Sequence, residues 1–200
     1  MVIAFYLTIN CPTCSGKTRL LLKFLNEITK ESLGSLFFFV LHIITTTPIK
    51  IGNAAKIQTF FRQNATRPHV EQWLKWITSI SFRTNALIIL DDVARSQAFK
   101  NRVLELVRLA FSARRYKLSV VVLTQQLTSI AKPFRKNAAR LISFDAPDET
   151  DMQTLMSEGL AVISKDEKNE IIQKLKNNCH SYIEINRRYP FDHQVITPEI

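Results

Sequence analysis

Cys11-Pro12-Thr13-Cys14-Ser15-Gly16-Lys17-Thr18 is the stretch that decides how the chain is read. An apolar run, Val2 to Ile9, leads into it, and an amphipathic stretch, Thr18 to Ile28, follows. Strand, tight turn and helix start are the context of a phosphate-binding loop. In such a loop, backbone N–H groups wrap the phosphates. Lys17 reaches the β and γ oxygens, and the Thr18 hydroxyl holds Mg²⁺. The expected ligand is ATP or GTP, held by Pro12, Thr13, Cys14, Ser15, Gly16, Lys17 and Thr18. Cys11 stands where the usual pattern has glycine, and its Cβ restricts the turn. The same residues also read as Cys-x-x-Cys between a strand and a helix, the placement of a thiol–disulfide redox pair.

The second half of a nucleotide site lies further on. Leu87-Ile88-Ile89-Leu90-Asp91-Asp92 is an apolar run ending in two carboxylates. Burying charge is costly, so such a pair at a strand end points to a ligand crevice. Asp91 is the expected Mg²⁺ residue, and Asp92 the one that orients or activates the attacking water. Ser119 to Thr124 is another buried strand, ending at Gln125, which is placed to sense the γ-phosphate or help place the water. The bland reading of Gln125 is a turn or cap residue.

Charge is segregated. The net charge is +10. Residues 95–140 hold eleven Lys/Arg and one acid, Glu105, while the remainder balances sixteen against sixteen. A field concentrated in this way suits a polyanion such as nucleic acid, against the alternative of a solvated basic face. Arg114 and Arg115 before the Ser119 strand, and Arg135 after it, are candidates for phosphate contacts on DNA or for an arginine finger on a neighbour's nucleotide.

Two hundred residues with 46% hydrophobic content suffice for one domain with a real core, so residues 1–200 are expected to form a single domain. No apolar run approaches the ~20 residues that span a bilayer, and no membrane partner is expected. The N-terminal apolar stretch lacks a basic leader and reads as a first strand. Three cysteines fit a reducing, intracellular compartment, with no expectation of secretion.

Strands are expected at Val2–Ile9, Leu36–Ile44, Ala86–Leu90, Leu118–Leu123, Ala139–Phe144 and Ser181–Asn186. Helices are expected at Lys17–Thr29, within Asn53–Phe61, and at Val70–Ile80, Gln97–Ala113, Glu149–Ser157 and Asp166–Lys176. Continuous β-rich runs imply strands buried on both faces, hence an α/β fold with a mostly parallel sheet flanked by helices. Residues 45–84, punctuated by Pro48 and Pro68, read as an insertion or lid. Asp148, Glu149 and Asp151 cluster at a helix start, where capping and the helix dipole account for them.

These blocks, in order, resemble the genome-packaging ATPases of poxviruses and other large DNA viruses, within the FtsK–HerA superfamily. The resemblance rests on CPTCSGKT (11–18), ALIILDDV (86–93), SARRYKLSVVVLTQQ (112–126) and PFRKNA (133–138). It implies a three-layer RecA-like P-loop NTPase core and a homo-oligomeric ring, a hexamer. It further implies ATP- and Mg²⁺-dependent translocation of double-stranded DNA into a capsid, with viral capsid proteins as partners. The setting would be the host nucleus or a cytoplasmic virus factory, or the virion. By position it makes Lys17, Asp92 and Gln125 catalytic, Thr18 and Asp91 Mg²⁺-binding, and Arg114, Arg115 and Arg135 finger or DNA residues. The family has glycine where Cys11 and Cys14 stand. Two other function classes stay open: a degenerate or non-motor P-loop protein such as a small-molecule kinase, and a redox protein using Cys11 and Cys14. A zinc site from Cys11, Cys14, Cys179 and His180 would need folding to unite two distant pairs.

Overall fold

Apolar β-branched runs become the strands of one sheet. The computed structural model describes residues 118–145, 148–178, 180–188 and 190–197, and strands at 6–10, 40–45, 57–61 and 86–91. It also describes residues 19–21, 23, 72, 111 and 115. The strands are β1 (Tyr6–Asn10), β2 (Val40–Thr45), β3 (Ile57–Phe61), β4 (Ala86–Asp91), β5 (Leu118–Thr124), β6 (Arg140–Phe144), β7 (Tyr182–Asn186) and β8 (Asp192–Ile196). They form an eight-stranded sheet in the order β3-β2-β4-β5-β1-β6-β7-β8. The six strands from β3 to β6 run parallel, and β7 and β8 add antiparallel strands at one edge. Ile88, Ile89 and Leu90 of β4 and Val120 to Leu123 of β5 are buried without a break. Both faces of the pleat are therefore covered, as a parallel sheet requires.

The expected fold class thus holds, with local corrections. The stretch 53–61, expected to be helical, instead contributes β3 from Ile57 to Phe61. Its Ile-Gln-Thr-Phe-Phe composition is β-branched and aromatic, and pairing with β2 satisfies that preference. β3 lies inside the 45–84 stretch and is an edge strand of the sheet. β8 has no counterpart among the expected strands. The chain is helical at Arg19, Leu20, Leu21 and Lys23, with Leu21 buried and Arg19 and Lys23 exposed. Residues 11–18 thus lie between a strand and a helix.

After β5 the chain makes a 3-10 turn (Leu127–Ser129) and helix α1 (Lys132–Asn137) before entering β6. After β6 come α2 (Glu149–Thr154), a π turn (Leu155–Gly159) and α3 (Lys165–Asn177). The Asp148 carboxylate caps α2 by accepting the Thr150 N–H at 3.0 Å. In the π turn the Leu160 N–H donates to the Leu155 carbonyl, five residues back. Ser164 caps α3, with Asp166 and Glu167 in its first turn and Lys174 and Lys176 in its last, matching the helix dipole. Ile171 and Leu175, four apart, face inward. They join Leu127, Leu141, Leu155, Leu160, Ile183 and Ile185 in a buried cluster. At Gly159 a Cβ would meet Ile185 Cδ1 at 3.0 Å and Leu141 Cδ2 at 3.3 Å, so the π turn lies flush on the sheet. Among the described residues, no helix is long and apolar enough to cross a membrane.

Candidate nucleotide site and its supports

The parallel strands bring their carboxyl ends to one edge of the sheet. Asn10, the last residue of β1, pairs with Thr124 of β5 and Ser143 of β6. Asp91, the last residue of β4, pairs with Leu123 of β5. The carboxyl ends of β1, β4, β5 and β6 therefore align within about one residue. β5 alone separates β1 from β4, so the backbones at Asn10 and Asp91 stand two strand spacings apart, about 10 Å. Segment 11–18 follows β1 in sequence, and Asp91 closes β4. Ligands of open α/β sheets bind outside such carboxyl ends. Residues 11–18, Asp92 and Arg114 lie outside the described residues, as do Cys11, Cys14 and Cys179 of the redox and zinc readings; His180 is exposed.

Gln125 follows β5 directly and is half-buried. The chain beyond it is tied into a knot. The Thr124 hydroxyl, on a residue 2% exposed, donates to the Gln126 carbonyl at 2.9 Å and accepts the Gln126 N–H at 3.2 Å. The Ser129 hydroxyl lies 2.9 Å from it and also donates to the Gln126 carbonyl. Asp151, 1% exposed, then reaches across from α2. It accepts the Leu127 N–H at 2.8 Å, the Thr128 N–H at 2.9 Å and the Thr128 hydroxyl at 2.7 Å. The three acidic residues at the α2 start thus divide their work. Asp148 caps its own helix, whereas Asp151 caps a turn 23 and 24 residues earlier.

At the other end of the same segment is a buried ionic group. Arg135, 9% exposed, forks onto Glu158 of the π turn, Nε to Oε2 at 2.9 Å and Nη2 to Oε1 at 3.0 Å. Its Nη1 donates to the carbonyls of Ile130 and Leu127. Arg187 donates to the Arg135 carbonyl and, at 3.0 Å, to the Glu158 carbonyl. The hydrogen bond from Arg135 holds the Glu158 carboxyl below its ordinary value; burial opposes this, and the charges of Arg135, Lys132 and Arg187 add to it. Burial lowers the Arg187 guanidinium, with Glu158 opposing. Arg135 therefore spends its guanidinium inside the chain, unlike the outward contact expected of a finger or DNA residue. Arg115 is exposed in a turn, and Lys132 and Lys136 project from α1 into solvent. Asp145, just past β6, has a buried oxygen, Oδ1, with no hydrogen-bond partner among the described residues.

Asp151, Glu158 and Arg187 were not legible as supports. Their partners lie 23 to 52 residues away, and the one local signal, the acidic helix start, is explained by Asp148 alone.

No family model and no curated protein matches the chain. Solved structures do. B204, the DNA-packaging ATPase from Sulfolobus Turreted Icosahedral Virus, superimposes with a TM-score of 0.74 over 100% of both chains at 11% identity. The genome packaging NTPase B204 from Sulfolobus turreted icosahedral virus 2 in complex with AMPPCP gives 0.74, again over 100% of both chains, at 12% identity. Thermomonospora curvata EccC (ATPases 2 and 3) gives 0.54 over 71% of this chain and 30% of that one, at 12% identity. At these identities the likeness is one of fold. The α/β sheet of this chain, with β5 between β1 and β4, has the fold of these B204 structures.

Proposed function

We propose that this chain is an ATPase that drives double-stranded DNA into a viral capsid as a homo-oligomeric ring, a hexamer, inside the infected cell. The observation that carries the reading is the alignment of the β1 and β4 carboxyl ends across β5. The Gly-Lys-Thr segment follows β1 in sequence, and the Asp-Asp pair begins at Asp91, the last residue of β4. Whole-length likeness to structures described as packaging NTPases, including one in complex with AMPPCP, supports the same reading.

In this reading Pro12, Thr13, Cys14, Ser15 and Gly16 wrap the phosphates, and Lys17 neutralises charge that builds on them. Thr18 and Asp91 supply hard oxygen donors, the ligand type Mg²⁺ takes. Bound Mg²⁺ would contribute further neutralisation of phosphate charge. Asp92 orients the attacking water, and Gln125, just past the strand between, senses the γ-phosphate. Arg114 and Arg115 are the finger or DNA candidates, since Arg135 is committed to Glu158. DNA contact through phosphates makes binding sequence-tolerant and steeply salt-dependent. Capsid proteins are the further partners.

The test is ATP hydrolysis by wild type and Lys17→Ala, each with and without duplex DNA. We expect DNA-stimulated turnover in wild type and a loss of about a hundredfold or more in the variant. Equal low rates in all four reactions overturn the reading.

A further inference from the structure

We propose that Asp151 is a positioning residue for nucleotide hydrolysis, acting through the backbone that follows Gln125. The proposal rests on the nucleotide-site reading above.

Three observations converge on it. Thr124 lies in register with Asn10, so the loop after β5 starts beside the point where segment 11–18 begins. That loop is not held by sheet pairing. It is held by the Thr124–Gln126–Ser129 knot on one side and by Asp151 on the other. Finally, a carboxylate only 1% exposed with three donors at 2.7 to 2.9 Å is a rigid anchor. Charge-assisted hydrogen bonds of this kind are the stronger class. A buried carboxylate also needs those donors, so anchor and loop fix each other. Gln125 sits between two fixed points, Thr124 in the sheet and the Asp151-bound turn. A side chain that must sense a γ-phosphate loses its effect when displaced by even an ångström.

The reach of Asp151 ties this loop to α2, whose far end runs into the π turn that grips Arg135. The segment from Gln125 to α1 is thus clamped at both ends by one helical unit.

The experiment compares full-length wild type with Thr128→Val, Thr128→Ser and Asp151→Asn. Turnover is measured in parallel with affinity for a fluorescent ATP analogue and with the melting temperature. Thr128 is exposed, so Thr128→Val removes one hydroxyl bond to Asp151 without opening the core. We expect kcat to fall about tenfold in Thr128→Val while nucleotide affinity stays within about threefold, and Thr128→Ser to recover turnover. Asp151→Asn turns an NH₂ toward one backbone donor and is expected to lose more turnover, with the same split. The assignment is overturned if both Thr128→Val and Asp151→Asn keep wild-type kcat. It is equally overturned if turnover falls only in step with nucleotide affinity and melting temperature, the pattern of a purely structural cap. A wild type that hydrolyses no ATP removes the nucleotide reading and this assignment with it. That result is distinct from an active wild type that tolerates the substitutions.

Discussion

Replacing Arg135 with methionine keeps the aliphatic bulk of the side chain and deletes its guanidinium. The deletion strips a two-pronged ion pair from Glu158 and a donor from the Ile130 carbonyl. The two side chains are only 10% and 16% exposed, so water does not readily replace what is lost. Removing one member of a buried pair costs about 3–5 kcal/mol. Lys132 and Arg187 still act on the Glu158 carboxylate, which places the expected loss at the lower end, about 3 kcal/mol. For a chain of this length, about 2–4 °C per kcal/mol translates that into a fall of about 6–12 °C in melting temperature. Glu158→Gln keeps the shape and one acceptor, and should cost about 2 kcal/mol. The double variant should cost less than the sum, with a coupling of about 1.5 kcal/mol. Urea unfolding followed by far-UV circular dichroism measures all three. The reasoning is refuted if Arg135→Met stays within about 1 kcal/mol of wild type, or if the two changes add within about 0.5 kcal/mol. A finger arginine would give the reverse signature, lost turnover with an unmoved melting curve.

The same cluster supports two further predictions. Glu158 titrates below its ordinary value of 4.5 when folded, so its contribution is complete above that pH and is lost as pH falls below it. The stability difference between wild type and Glu158→Gln should therefore be full at neutral pH and shrink on acidification past 4.5. A gap unchanged down to about pH 3 contradicts the ion-pair account. Gly159→Ala places a methyl 3.0 Å from Ile185 Cδ1 and 3.3 Å from Leu141 Cδ2, both buried, and should cost about 1–3 kcal/mol in urea unfolding. A neutral or stabilising result would mean that the π turn can lift from the sheet.

How far the sequence speaks depends on whether a feature is local. The parallel core was readable because Leu87 to Leu90 and Ser119 to Leu123 are unbroken β-rich runs with carboxylates or an amide at their ends. That pattern also places Asp91 and Gln125 at strand exits, as found. α3, expected over Asp166–Lys176, spans Lys165–Asn177. β3 was misread because short apolar stretches carry no decisive period, and pairing with β2 settles the matter. β8, Asp-His-Gln-Val-Ile, begins with polar residues because it is an edge strand with much of its surface in solvent. α1 is six residues long with proline at its start and has no room for periodicity. The Arg135–Glu158–Arg187 group could not be read at all. A basic residue in a basic stretch looks outward until a fold supplies its acid from elsewhere.

The position of β1 also bears on how the chain is made. Its two sheet neighbours are β5 and β6, and Tyr6 faces Val120. β1 therefore waits, unpaired, until the ribosome has delivered β5 through Thr124, and it gains its second neighbour only with β6. Such distant pairing is slow to form and leaves an apolar strand open to wrong partners meanwhile. In that interval chaperone capture of the nascent chain is the expected safeguard against wrong partners.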